Sequence, residues 1–171
     1  MKHQNVTIRD ETPEDITDIT ELTIAAFASL EISDHTEQHV IMALRRAGAL
    51  TISLVAEVEG RVVGHIAFSP VTIADGTMGW YGLGPVSVLP ALQSAGIGKA
   101  LITEGLSRLQ AMGANGCCLV GHPQYYTRYG FVNVSGLGVE GVPPDVFFVS
   151  SFDGNYPQGE VIFHEAFAAT G

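Results

Sequence analysis

The segment Val86–Val120, VSVLPALQSAGIGKALITEGLSRLQAMGANGCCLV, constrains the fold more than any other stretch of this chain. It opens as an apolar strand closed by Pro90. A helical pattern follows, with Ile97, Leu101, Ile102, Gly105, Leu109 and Met112 on one face and Gly113 as its stop. It ends in a second apolar strand, Cys117–Val120. A strand, a helix and a strand in so few residues should form a parallel pair joined by a right-handed crossover.

The surrounding sequence adds antiparallel pieces. NVTIRDETPEDITDITELTIAAF predicts a strand, a turn and a helix, with Thr12 as cap, Pro13 at the first helical position and Ile16, Ile19, Leu22, Thr23 and Phe27 near one face. SDHTEQHVIMALRRAGAL predicts a second helix ended by Gly48. LTISLVAEVEGRVVGHIAFSPVTIA predicts two strands joined at Glu59-Gly60, a hairpin signal. PQYYTRYG predicts one short helix or turn ending at Gly130. FVNVS, DVFFVSSF and EVIFHEAF supply further strands, and GLGVEGVPP between them reads as loop. The 171 residues suit one domain, 1–171, of α/β class with a mixed sheet.

Charge and composition exclude several roles. The formal net charge is −10, with 8 Lys and Arg in the chain and no basic cluster, which argues against a nucleic-acid partner. No apolar run approaches the roughly 20 residues of a membrane span. The opening MKHQNVTIRDETPEDI lacks the apolar core of a signal peptide, so the expected location is cytoplasmic. The acidic balance keeps a protein soluble and also favours a cationic substrate. Cys117 and Cys118 are neighbours in one strand, so they point to opposite faces; they read as buried thiols, neither a disulfide nor a metal set.

QSAGIGKAL, Gln93–Leu101, places glycines at the mouth of the long helix, where unpaired N–H groups and the helix dipole attract phosphate. A nucleotide P-loop fails there, because Gln93 replaces its first glycine and Ala100 its hydroxyl residue. A dinucleotide fingerprint fails because Leu101 fills its third glycine position. Gln/Arg-x-x-Gly-x-Gly/Ala fits at Gln93, Gly96 and Gly98. Glycine lets a pyrophosphate approach the backbone, and the Gln93 amide can donate without adding charge. Lys99 can add a point charge or reach solvent.

With VSVLPALQSAGIGKAL and GHPQYYTRYGF, the chain resembles the GNAT superfamily of acetyl-CoA-dependent N-acetyltransferases; its ending, VPPDVFFVSSF followed by GEVIFHEAF, is similar to the YhbS type of acetyltransferase. One departure is His122, where Asp is usual. The resemblance implies a largely antiparallel central sheet with a splayed parallel pair, flanked by helices, and acetyl-CoA as co-substrate without a metal. It implies that the pantetheine arm lies between Val86–Val88 and Cys117–Gly121. Val86, Ser87 and Val88 would then bind the arm and the acetyl carbonyl, and Gln93, Ser94, Ala95, Gly96, Ile97, Gly98 and Lys99 the pyrophosphate. Gly82 and Gly84 with Pro85 fit a strand that bulges.

The resemblance implies that Tyr126 protonates the departing thiolate; on spacing alone it also fits a packed aromatic beside Tyr125, Tyr129 and Phe131. Arg128 can touch phosphate or cover the surface, and the surface is the favoured reading. Glu31, Asp34, His35, Glu57, His65 and His122 are candidates for a general base, with none preferred. The implied reaction is direct acetyl transfer to a primary amine of a small molecule or peptide. The alternative is a non-catalytic acyl-CoA sensor on the same fold. A homodimer is compatible with the sequence, and neither nucleic acid nor membrane is an expected partner.

Overall fold

A computed structural model describes residues 5–31 and 33–171. Residues 1–4, the start of the segment read for a leader, lie outside it. The chain begins with strand β1 (Val6–Asp10), a 3-10 turn at Pro13–Asp15 and helix α1 (Ile16–Phe27). The turn is fixed by Asp15, which accepts from the Thr12 N–H at 2.7 Å and is clamped by Arg9 at 2.7 Å. Helix α2 (Glu37–Arg46) follows and ends as expected before Gly48, whose φ of +68° a side chain would disfavour.

Strands β2 (Ile52–Val58) and β3 (Arg61–Pro70) form the predicted hairpin. Its turn residues Glu59 and Gly60 both have positive φ, as a two-residue turn matched to strand twist requires. After β4 (Thr72–Ile73) come β5 (Trp80–Val88), helix α3 (Ile97–Ala111), β6 (Gly116–Val120) and the single-turn helix α4 (Pro123–Tyr126). Strands β7 (Leu137–Gly138), β8 (Phe147–Ser151) and β9 (Gly159–Ile162) complete the description.

The main sheet runs β1-β2-β3-β5-β6-β8, and every neighbour is antiparallel except the β5–β6 pair. The parallel β5–β6 pair is the one the crossover segment predicts, and the mostly antiparallel remainder is the sheet that the resemblance implies. Ile97, Leu101, Ile102 and Leu109 of α3 pack with Leu54, Ile66 and Phe68 on one face. Ile19 and Leu22 of α1 and Ile41 of α2 pack with Val55 and Val62 on the other. Cys117 joins the α3-side core and Cys118 the opposite cluster beside Trp80 and Val149, as strand alternation requires.

Three expectations need correction. FVNVS is not a strand: Val132 makes one isolated bridge with Val149, and the Asn133 side chain then donates to the Phe147 carbonyl at 2.8 Å, turning the chain away. The expected loop GLGVEGVPP contains β7, because Leu137 and Gly138 align in parallel with Gly159 and Glu160. EVIFHEAF stops being strand at Ile162; the His164 ring accepts the Ala166 N–H at 3.0 Å and starts a 3-10 turn, Glu165–Ala168. The small β4-β9-β7 sheet that results carries the C-terminal segment back toward α2.

Candidate active site

The site begins where the parallel pair comes apart. Strands β5 and β6 pair at Trp80–Gly116, Tyr81–Cys117 and Gly82–Cys118, and no further. The sequence reading placed Cys117 and Cys118 in the splayed part; they are still paired, and the gap opens at Leu119. On the β3 side, β5 shifts register between Leu83 and Val86, so Gly84 and Pro85 form the expected bulge. That extra residue bends β5 away from β6. At the fork the Phe163 ring lies over Gly82, where a Cβ would come within 2.7 Å of it. A side chain at Gly82 would displace that ring.

Beyond the fork, the β5 backbone faces an empty edge. The Leu89 N–H donates to the Val63 carbonyl on β3 at 2.9 Å. Strand alternation therefore turns the N–H and C=O of Val86 and Val88 toward the gap. The Val88 carbonyl accepts from Gln93 Nε2 at 3.2 Å, which agrees with that direction. The Ser87 side chain is fully buried on the other face, with its hydroxyl 3.4 Å from the Thr23 hydroxyl of α1. Ser87 therefore offers the gap no side chain.

A groove of about 620 Å³ continues from this edge to the mouth of α3. Val86, Val88, Gln93, Ser94, Gly96, Gly98 and Lys99, all expected at the site, line it. Ser94 and Gly96 both have positive φ, which folds the loop tightly over the helix start. The N–H groups of Gly96, Ile97, Gly98 and Lys99 have no hydrogen-bond acceptor among the described residues. They are the free donors that an anion needs at a helix N-terminus. Two expected loop residues differ in detail. The Ala95 N–H is already bonded to the Leu92 carbonyl at 3.3 Å, and the Ile97 side chain is buried in the core. Only the Ile97 backbone is available.

The far wall of the groove is aromatic. Tyr125, Tyr126 and Tyr129 line it, with the Tyr125 and Tyr126 rings edge to face at 4.9 Å. The Tyr125 hydroxyl would lie 3.1 Å from a Cβ at Gly98, so a bare position 98 keeps the groove open. Arg128 also lines the groove, with its guanidinium 5.0 Å from the Tyr125 ring centre. Arg128 is exposed, as the favoured surface reading has it, and its side chain also borders the groove. His122 caps α4, its Nδ1 accepting the Gln124 N–H at 3.2 Å. A ring nitrogen does there what an Asp oxygen could, so the departure from Asp leaves the turn intact.

Tyr126 is partly buried against Phe131 and Phe148. Gly121 leaves room for its ring, which a Cβ at 121 would overlap. Burial, and then the neighbouring Tyr125, push its phenol up to about 12. It therefore keeps its proton throughout the neutral range and has that proton available to donate.

A second cavity of about 430 Å³ adjoins the first, and Val86 and Tyr126 line both. Its other walls include Phe27, Asp34, Thr36, Glu37, Val40 and the C-terminal Phe163 and Phe167. Among the base candidates, Asp34 lines it. His65 is completely buried, Glu57 is held by Arg9 at 2.9 Å and His122 is the cap just described. Glu31 and His35 are exposed and line neither cavity. Sequence reasoning missed Glu37, Phe163 and Phe167. Glu37 reads as an ordinary acid in the first turn of a helix, and the two phenylalanines fall in a segment read as plain strand.

Known proteins share this fold. Residues 50–133 match the family model described as an acetyltransferase (GNAT) domain. YhbS of Escherichia coli K12, called an uncharacterized N-acetyltransferase, is 35% identical over 125 residues, 72% of each chain. A crystal structure of a GNAT family acetyltransferase from Brucella melitensis with acetyl-CoA is 48% identical, with a TM-score of 0.86 over 96% of this chain and 99% of that one. YhbS of Escherichia coli with CoA superposes with a TM-score of 0.88 at 30% identity, over 100% of this chain and 96% of that one.

Proposed function

The chain belongs to the GNAT acetyltransferase family, and on that premise we propose that it moves an acetyl group from acetyl-CoA directly to a primary amine, both substrates bound at once. The observation that carries this reading is the meeting of the two cavities at Val86 and Tyr126. A donor in one and an acceptor in the other would touch only there.

The groove suits the donor chemically. A pyrophosphate fits the free N–H groups at the α3 mouth, with Lys99 and Arg128 as nearby cations. An amide-bearing arm fits the unpaired edge at Val86 and Val88, as an added strand would. An N–H of that edge, aimed at the thioester carbonyl, stabilises the charge that develops on its oxygen. The thioester supplies an activated acetyl carbon. As the amine nitrogen bonds to it, the C–S bond breaks, and the Tyr126 hydroxyl gives its proton to the departing sulfur. The nitrogen loses one proton, which restores the phenol directly or through solvent, and the products are an amide and free CoA. Cys117 and Cys118 are wholly buried and their thiols are pushed up by burial, so neither supplies a thiolate for a covalent step. Dependence on an intracellular thioester also supports a cytoplasmic location.

The test is Tyr126→Phe in a thiol-release assay with acetyl-CoA and a panel of amines. The expected result is a transfer rate reduced about a hundredfold with CoA affinity unchanged. An unchanged rate would remove the acid role. Acetyl-CoA binding by the unsubstituted protein, without turnover of any amine, would favour a sensor instead.

A further inference from the structure

We infer that the acceptor is a small, apolar-bodied primary amine with no carboxylate beside its amino group, and that Glu37 selects it. The inference rests on the acetyltransferase reading above. Its substance comes from the walls of the second cavity.

The charge of that cavity is one-sided. Asp34 and Glu37 line it, and no Lys, Arg or His does. The two carboxylates differ in availability. Glu37 Oε2 accepts from the Ser33 hydroxyl at 2.7 Å, which holds the carboxylate in place. Glu37 Oε1 is buried and has no hydrogen-bond partner among the described residues. A buried, unpartnered carboxylate oxygen is costly unless a donor arrives to satisfy it. An ammonium brings both the donor and the opposite charge, and it gives one proton to solvent before it attacks, because only the neutral amine carries a lone pair. A carboxylate on the acceptor would face Asp34 and Glu37 with no cation among the lining residues to balance it.

Apart from Thr36, the other side chains of the cavity are apolar or aromatic. Phe27, Val40, Phe163, Phe167 and the Tyr126 ring form its walls. Such rings accept a hydrocarbon or aromatic body and also attract a cation to their faces. The volume of about 430 Å³ is near the small end of ligand cavities, which run from about 300 to 1,000 Å³. The net charge of −10 draws a cation toward the protein as a whole. Glu37 thus positions the acceptor, whereas Tyr126 acts on the reacting atoms.

A matched pair of acceptors tests the inference on the unaltered protein. 2-Phenylethylamine and phenylalanine share the ring and the amine and differ by one carboxylate. With acetyl-CoA, 2-phenylethylamine should show a kcat/KM at least about tenfold higher. Glu37→Gln keeps the shape and removes the charge. It should raise the KM for 2-phenylethylamine about tenfold, change kcat less and leave acetyl-CoA affinity unaltered. Equal or better use of phenylalanine would overturn the inference, as would an unchanged KM in Glu37→Gln. If neither amine is used but other amines release thiol, the substrate class fails while the acetyltransferase reading stands. If no amine releases thiol although acetyl-CoA binds, both fail.

Discussion

His65 sets up a stability change that acid should expose. Its ring is completely buried in β3, with Nε2 2.7 Å from the Ser53 hydroxyl and Nδ1 without a partner among the described residues. Burial pulls its pKa down to about 4 from 6.5, against the weaker opposing pull of Glu11, whose carboxylate is 3.8 Å away. Between pH 6.5 and about 4 the unfolded chain therefore binds a proton that the folded chain refuses. Stability rises with pH across that window and falls as pH drops through it. The gap from 6.5 to about 4, at about 1.4 kcal/mol per pH unit, amounts to about 3 kcal/mol. Against a typical total of about 5–15 kcal/mol, that is a large share.

Asp15 does not confuse the measurement. Its carboxyl is held at about 2, chiefly by the Arg9 hydrogen bond, so its contribution is intact above about 4 and is lost only as pH falls toward 2. Urea denaturation followed by tyrosine and tryptophan fluorescence at pH 7.5, 6.5, 5.5 and 4.5 measures the effect. His65→Gln, which cannot titrate, serves as the control. The unsubstituted protein should lose between about 2 and 3 kcal/mol over this range and the variant much less. Equal losses in the two proteins would refute the assignment to His65.

Two further outcomes follow from the packing. Gly105→Ala in α3 should destabilise the protein by about 1–2 kcal/mol in the same denaturation assay, because the new Cβ overlaps the buried Phe68 ring; stabilisation, the usual result of Gly→Ala in a helix, would contradict this packing. Arg128→Gln should weaken CoA binding roughly threefold to fivefold by calorimetry at low salt, with the difference shrinking as salt is added; pantetheine, which lacks the phosphates, should bind both proteins equally.

What the sequence revealed divides by the range of the interactions. The parallel unit, the bulge at Gly84-Pro85 and the glycine loop before α3 are local in origin, written in neighbouring residues, and the structure contains them. The Glu59-Gly60 hairpin is equally local. The fork between β5 and β6 was expected, but its starting point was not. That point depends on Phe163 resting over Gly82, a contact between residues 81 positions apart. Residues 131–135 fail as a strand for a similar reason, since one bridge to Val149 and the Asn133 bond to Phe147 decide their path. The second cavity was the least legible part. Phe27, Glu37 and Phe163 come together only after the β4-β9-β7 sheet returns the end of the chain to α2. The position of Arg128, ambiguous on an isolated turn, becomes readable only when Tyr125 and the groove lie beside it.

The walls of the two cavities also divide the chain by position. Everything that lines the donor groove lies between Val86 and Tyr129, inside the stretch 50–133 that the family model matches. The acceptor cavity borrows β5, Val120 and Tyr126 from that stretch and takes the rest from residues 27–40 and 163–167, which lie outside it. On the proposed function, the thioester is handled by the middle of the chain, while the choice of amine falls to residues nearer its two ends. Those ends can diverge, or be exchanged between relatives, without disturbing the loop that grips the donor. Grafting residues 27–40 and 163–167 from one family member to another should therefore be the shortest route to transplanting acceptor preference.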